Sequence, residues 1–139
     1  MTDLSRFHEV DSATHARALA EIVRGQKISH WMWFVFPQLR GLGRSAMALN
    51  YGLEPEEAAP FLADPLLGPR LVEITRALMT HAGKRSALAV FGPVDARKLC
   101  SSMTLFAAVP GADPVFADVL TAFCEGPCPQ TMEMLQQAQ

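Results

Sequence analysis

The 139-residue sequence predicts an all-α protein, a single compact and irregular array of about seven to nine helices. Alanine and leucine together number 36, against 12 for valine plus isoleucine, a ratio that favours helix over strand. Apolar residues also repeat at helical spacing between recognisable start and stop signals. Because no repeat, low-complexity segment or long linker divides the chain, residues 1–139 are predicted to form one domain.

Three helices are delimited by clear signals. Asp64-Pro65 is typical of a helix start and Gly83 of its end, and the apolar face between them consists of Leu67, Leu71, Ile74 and Leu78. Asp113-Pro114 repeats the start signal and Gly126 the stop. Ser12 is the expected cap of an earlier helix that ends at Gly25, and the residues expected to face inward are Ala16, Leu19, Ala20 and Val23.

Shorter helices are predicted at residues 45–51, 55–63, 86–91, 93–108 and 130–137. The apolar run from Trp31 to Phe36 fits either a strand or a helix. No other segment offers a strong strand partner, so we expect a short buried helix, capped by Ser29 and ended by Pro37.

Composition limits the class of protein. Half of the residues are hydrophobic and 19% are charged, which predicts a globular chain. We expect a cytoplasmic protein, because the first residues do not resemble a signal peptide and no apolar run approaches the ~20 residues of a membrane span. Broad nucleic-acid binding is not expected, because it would need many more basic residues on one face.

The three cysteines are Cys100, Cys124 and Cys128. Their odd number and the expected compartment predict reduced, partly buried thiols. A redox pair of Cys124 and Cys128 is the alternative. No second close pair of ligands accompanies them, so neither a metal site nor a cofactor is expected.

Residues 22–53 contain no aspartate or glutamate but four basic residues, among them Lys27 and Arg44. Within this segment Gly41-Leu42-Gly43-Arg44-Ser45 precedes a predicted helix. Backbone N–H groups at such a start can hold a phosphate or carboxylate, although a plain loop-to-helix junction has the same pattern. We expect Lys27, Gln38, Arg44 and Ser45 to flank any ligand bound here.

Two further groups of residues can carry chemistry. His30 is a candidate general base and Trp33 a candidate wall for a planar ligand; packing roles are the commoner alternative for both. Asp95, Lys98 and Ser102 share one face of a predicted helix, where a lysine can activate a serine nucleophile. A salt-bridged helix with locally bonded hydroxyls, Ser101 included, explains the same pattern.

A set of motifs resembles a bacterial family catalogued as domain of unknown function 1810. The motifs are Lys27-x-Ser29-His30-Trp31-Met32-Trp33-Phe34-x-Phe36-Pro37-Gln38, Gly41-Leu42-Gly43-x-Ser45, Tyr51-Gly52, Pro65-Leu66-Leu67-Gly68-x-Arg70-Leu71, Phe91-Gly92-x-x-Asp95 and Lys98-Leu99-x-Ser101-Ser102-Met103-Thr104-Leu105-Phe106. The resemblance implies an all-helical fold and no established activity, cofactor or catalytic residue. The label calpastatin-like, sometimes attached to the family, conflicts with this chain, because such inhibitors are polar and disordered.

The leading hypothesis is that the domain binds a small anionic and nucleotide-like ligand; whether it also acts on that ligand as an enzyme is left open. It requires the 27–45 segment and the 95–106 helix to face one cleft, with Arg44 and Lys98 holding the anion, Ser101 and Ser102 donating hydrogen bonds and His30 titrating. The alternative is a helical protein–protein interaction module without catalytic activity, recognisable by an exposed apolar patch.

Overall fold

The computed structural model describes residues 3–138 and contains ten α-helices and one 3₁₀ turn over that range. The helices are α1 (Ser5–His8), α2 (Ser12–Arg24), α3 (Met32–Val35), α4 (Ala46–Tyr51), α5 (Ala58–Ala63), α6 (Leu67–Met79), α7 (Ala87–Phe91), α8 (Pro93–Ala107), α9 (Val115–Phe123) and α10 (Pro129–Gln137), with the 3₁₀ turn at Pro55–Glu57. No strand forms within the described range; Leu39 and Leu53 make an isolated parallel bridge. The predicted all-α class is confirmed.

Helix α8 lies at the centre of the packing. It contacts α5, α7, α9 and α10, while α6 packs against α2, α5 and α9. The apolar face predicted for α6 is confirmed. Leu71, Ile74 and Leu78 of α6 are buried, as are Leu99 and Met103 of α8. No helix in the described range is both long enough and apolar enough to cross a membrane.

The orientation predicted for α2 is wrong for three of the four residues expected to face inward, whereas Leu19 packs against the core. Ala18 and Ile22 have no exposed surface, whereas Val23 is 59% exposed and Ala16 and Ala20 face solvent. Alanines occur on opposite sides of this helix, so its apolar pattern fits more than one rotation about the axis. The packed rotation also turns Glu21 inward.

The helix starts differ from prediction by a few residues. Asp11, not Ser12, caps α2, because its carboxylate accepts a hydrogen bond from the backbone N–H of Thr14 at 2.8 Å. Asp64 accepts from the N–H of Leu67 at 3.0 Å, so it closes a turn that precedes α6 instead of starting the helix itself. The predicted stop of α2 is confirmed: Gly25 has a φ of 85°, a left-handed conformation that favours glycine.

Candidate functional site

The loop between α2 and α3 is held by a buried carboxylate. Glu21, which is 5% exposed, accepts hydrogen bonds from the backbone N–H groups of Ile28 (2.7 Å) and Ser29 (2.9 Å), the Ser29 hydroxyl (2.7 Å) and the Trp31 indole N–H (3.0 Å). Burial alone would raise its pKa, but the hydrogen bonds from Ile28, Ser29 and Trp31 lower it to about 2. Glu21 therefore stays ionised and fixes the path of the loop.

One sequence prediction changes at this point. Ser29 does not cap α3, since its hydroxyl donates to Glu21; the residue at the helix start is Trp31, which makes no side-chain cap. Sequence reasoning missed Glu21 altogether. Glu21 lies three residues after Ala18 and so on the same side of the helix, but only the structure shows that Ala18 is buried.

Lys27 and Lys98 meet at one aspartate. The Lys27 ammonium lies 2.9 Å from one carboxylate oxygen of Asp95, and the Lys98 ammonium lies 3.6 Å from the other. Lys27 also donates to the backbone carbonyl of Ser29 at 2.6 Å, and only 7% of its side chain is exposed. The 27–45 segment and α8 are thus joined directly at Asp95.

Each lysine also lies over a tryptophan ring. The Lys27 nitrogen is 5.0 Å from the centroid of Trp31, and the Lys98 nitrogen is 4.2 Å from the centroid of Trp33, both within the range of a cation–π contact. Trp31 is 1% exposed and belongs to the core, whereas Trp33 is only half-buried. The two rings therefore have different roles, one structural and one at the surface.

Trp33, Gln38 and Lys98 line a common depression of about 10 Å³. The other residues of its wall are Met32, Phe36, Ala48, Tyr51 and Gly52. The parallel bridge between Leu39 and Leu53 fixes the backbone of Gln38, because the Gln38 carbonyl accepts a hydrogen bond from the N–H of Leu53 at 2.9 Å. The depression has room for about one water-sized group, so most of a larger ligand would lie outside it.

The glycine turn adjoins this depression. A side chain built at Gly43 would come within 3.9 Å of the Gln38 amide nitrogen and 2.9 Å of the Ala48 methyl group. Ser45 caps α4, its hydroxyl accepting from the N–H of Ala48 at 3.1 Å, and the side chain of Arg44 is exposed. The turn therefore serves as a loop-to-helix junction next to Gln38.

The hydroxyl groups of α8 do not join Lys98. Ser102 has no exposed surface, and its hydroxyl reaches no hydrogen-bond partner among the described residues. The hydroxyl of Ser101 lies 3.5 Å from the sulfur of Cys128, at a different cavity. His30 is exposed to solvent. Of the residues grouped by sequence, the depression unites Trp33, Gln38 and Lys98.

A larger cavity, of about 660 Å³, lies beside α8 and contains all three cysteines. Its lining comes from the start of α7, one face of α8 and residues 123–130, with Arg97 and Ser101 among its polar members. Cys100 and Cys124 form a disulfide with a Cα–Cα distance of 6.1 Å. The prediction that all thiols are reduced is therefore wrong for this pair: α8 and α9 pack together and bring side by side two residues separated by 24 positions.

Cys128 is free and half-buried at the start of α10. Burial raises the pKa of its thiol, but hydrogen bonds from Ser101 and Thr131 and from the backbone N–H of Gln130 outweigh burial, so the pKa is lowered. The Thr131 hydroxyl is buried and forms no hydrogen bond of standard geometry in the described part of the chain. The Ser101 hydroxyl, 3.5 Å from the sulfur, is the better-defined donor.

The comparisons with known proteins agree with the fold. The chain is similar to the conserved hypothetical protein Rv1873 from Mycobacterium tuberculosis, whose crystal structure is known. The two sequences are 43% identical, the alignment covers 96% of each chain and the structures superpose with a TM-score of 0.91. No match to a curated protein is found. The family model described as "Protein of unknown function (DUF1810)" matches residues 1–135. The chain therefore belongs to the DUF1810 family.

Proposed function

We propose that this domain binds a small anionic, nucleotide-like molecule at the surface around Trp33, Gln38 and Lys98. The observation that carries the proposal is the Lys98 ammonium, 4.2 Å from the Trp33 ring and at the edge of the depression that both residues line. Lys27 and Lys98 share the single charge of Asp95, which leaves one net positive charge in this cluster. A cation beside an aromatic wall suits a ligand that combines an anionic group with a planar ring.

The size of the depression limits how such a ligand is held. One oxygen of a phosphate or carboxylate fills about 10 Å³, while the rest of the molecule lies on the surface against Trp33. Gln38 supplies amide donors, and Arg44 and Ser45 stand on the adjoining turn. Lys27 is largely buried and acts by positioning Asp95 and the loop at Ser29.

Catalysis is not part of this proposal. The depression at Lys98 is lined by none of three candidate residues: His30 is exposed, Ser102 is enclosed in the core and Ser101 faces Cys128. A nucleophile activated by Lys98 would need a hydroxyl within hydrogen-bond reach of its ammonium. The contacts of Lys98 are instead those of an anchor for charge.

A thermal-shift screen against nucleotides, ADP-ribose derivatives and sugar phosphates tests the proposal. A compound at 100 times its Kd adds roughly 2.7 kcal/mol to the free energy of unfolding. Lys98→Met should abolish the shift, whereas Lys84→Met, at an exposed position in the turn after α6, should leave it unchanged. Equal shifts in the two variants, or no stabilising compound at all, would contradict binding at Lys98.

A second candidate function is a protein–protein interaction module. The observation in its favour is a set of large apolar side chains that are more than half exposed: Val23, Ile28, Leu49, Leu88 and Val94. The backbone N–H of Lys27 donates to the carbonyl of Val90 at 2.8 Å, so the loop carrying Ile28 lies against α7, which carries Leu88. A sizing column run over a range of concentrations separates the candidates, because self-association weakened by Ile28→Ser would favour the module.

A further inference from the structure

The large cavity beside α8 brings a free thiol and a disulfide together. Cys100, Cys124 and Cys128 all line the same 660 Å³ space. Cys124 precedes Cys128 by four residues, and the intervening turn contains Gly126 with a φ of 110°. Ser101 follows Cys100 directly and contacts the sulfur of Cys128 at 3.5 Å. The three sulfurs therefore surround one opening instead of being distributed through the core.

The three cysteines occupy different electrostatic environments. Cys128 precedes the first turn of α10, where backbone N–H groups and the helix dipole favour a thiolate. Cys124 follows the last turn of α9, where the dipole disfavours one. Cys100 lies within α8. The Ser101 hydroxyl also lies 3.5 Å from the Cys128 sulfur, so Cys128 is the expected nucleophile of the three.

The surroundings of Cys128 also suit a small substrate. Its cavity is large enough for a molecule of several hundred Å³, and the exposed Arg97 at its edge offers a partner for a carboxylate. The Thr131 hydroxyl is fully buried next to Cys128 and lacks a standard hydrogen bond in the described chain, which leaves it free to donate to a thiolate or a departing sulfur. We propose that this cavity is a thiol–disulfide exchange site for small carboxylated disulfides of the glutathione class, with Cys128 as the attacking thiolate.

The exchange balances in three displacements, starting from the reduced protein. The Cys128 thiolate attacks one sulfur of the small disulfide, forms a mixed disulfide and releases the first small thiolate. Cys124 then attacks the Cys128 sulfur and releases the second small thiolate. Finally Cys100 attacks the Cys124 sulfur, which forms the observed Cys100–Cys124 bond and restores the Cys128 thiolate. The protein loses two electrons and two protons, and the small disulfide gains them as two thiols.

The test follows oxidation of the fully reduced protein by oxidised glutathione under anaerobic conditions, with acid quenching, alkylation and mass-spectrometric mapping. The wild type should end with a Cys100–Cys124 bond and an alkylated Cys128. Cys128→Ser should form that bond about tenfold more slowly, because the activated thiolate is missing. Cys124→Ser should retain glutathione on Cys128, and Cys100→Ser should accumulate the Cys124–Cys128 disulfide.

Ser101→Ala tests the environment of the thiolate. It should slow glutathione attachment and move the pH midpoint of the reaction upward, whereas Ser102→Ala, the adjacent serine with no contact to Cys128, should do neither. Circular dichroism confirms that each variant is folded. Oxidation of Cys128→Ser at the wild-type rate, or glutathione found on Cys100 in Cys124→Ser, overturns the proposal. The anion site at Lys98 involves different residues, so either proposal can fail alone.

Discussion

Replacing Glu21 with glutamine should remove a large, pH-dependent part of the stability of the domain. The carboxylate has a pKa of about 2 in the folded protein against an ordinary value of 4.5. At about 1.4 kcal/mol per pKa unit this difference sets an upper limit of about 3 kcal/mol at neutral pH. Solvent near the loop screens part of it, so we expect Glu21→Gln to lose about 2 kcal/mol. Glutamine keeps the shape and one acceptor oxygen, so the loss reports the charge.

The sign of the pH dependence follows from the lowered pKa. A carboxylate with a lower pKa when folded stabilises the protein fully above its unfolded pKa, and this contribution declines as pH falls toward the folded pKa. The stability gap between wild type and Glu21→Gln should therefore be widest near neutral pH. It should narrow by about 1 kcal/mol at pH near 3.5, since most unfolded chains are then protonated at Glu21 while the folded protein is not.

Urea unfolding of both proteins at the two pH values measures this gap. Glu56→Gln is the matched control, because Glu56 is an exposed residue in the 3₁₀ turn, and its stability should follow that of the wild type at both pH values. A gap of the same size at neutral and acidic pH would refute the reasoning. Glu21→Ala should lose more, about 3 to 5 kcal/mol, because the Trp31 indole and two backbone N–H groups would lose their buried acceptor.

Two further predictions concern packing and charge. Asp95→Asn should lower the free energy of unfolding by about 2 kcal/mol, since the nearly buried Lys27 loses its counter-charge. Asp113 pairs with Arg76, whose side chain is 66% exposed, so Asp113→Asn should lower the free energy of unfolding by less than about 1 kcal/mol in the same urea assay. Gly68→Ala should cost about 2 to 3 kcal/mol, because its new methyl group would overlap the backbone carbonyl of Leu62. Gly83→Ala should cost only about 1 kcal/mol, because the φ of 76° disfavours alanine but no neighbouring atom lies within 4 Å of the new methyl group. Equal losses of stability in the two glycine variants would contradict this distinction.

The helices were predictable where one physical signal dominates. On α6 the large residues Leu71, Ile74 and Leu78 define a single apolar direction, and the structure buries all three. On α2 small alanines leave the direction open, and the rotation is decided by Glu21, whose partners lie in the following loop. A local pattern contains no information about such a distant set of donors, so it could not select this rotation.

Cysteine pairing was beyond prediction for a similar reason. The spacing of Cys124 and Cys128 suggested a local pair, yet the bond joins Cys100 to Cys124 across the contact of α8 with α9. Which two thiols meet depends on the rotation of both helices about their axes. The cell compartment and the number of cysteines indicate whether thiols are oxidised, but they contain no information about how the two helices are rotated.

The division of α8 explains why the candidate site was only partly predictable. Lys98 and Ser102 are one turn apart and share a direction on an isolated helix. In the folded chain Trp33 covers the start of that face, while the core closes over Ser102. Ser101 turns toward α10, so α8 contributes to the Lys98 depression on one side and to the cysteine cavity on the other. A helix at the centre of a small domain can thus serve two separate sites, and neighbouring elements decide which residue belongs to which.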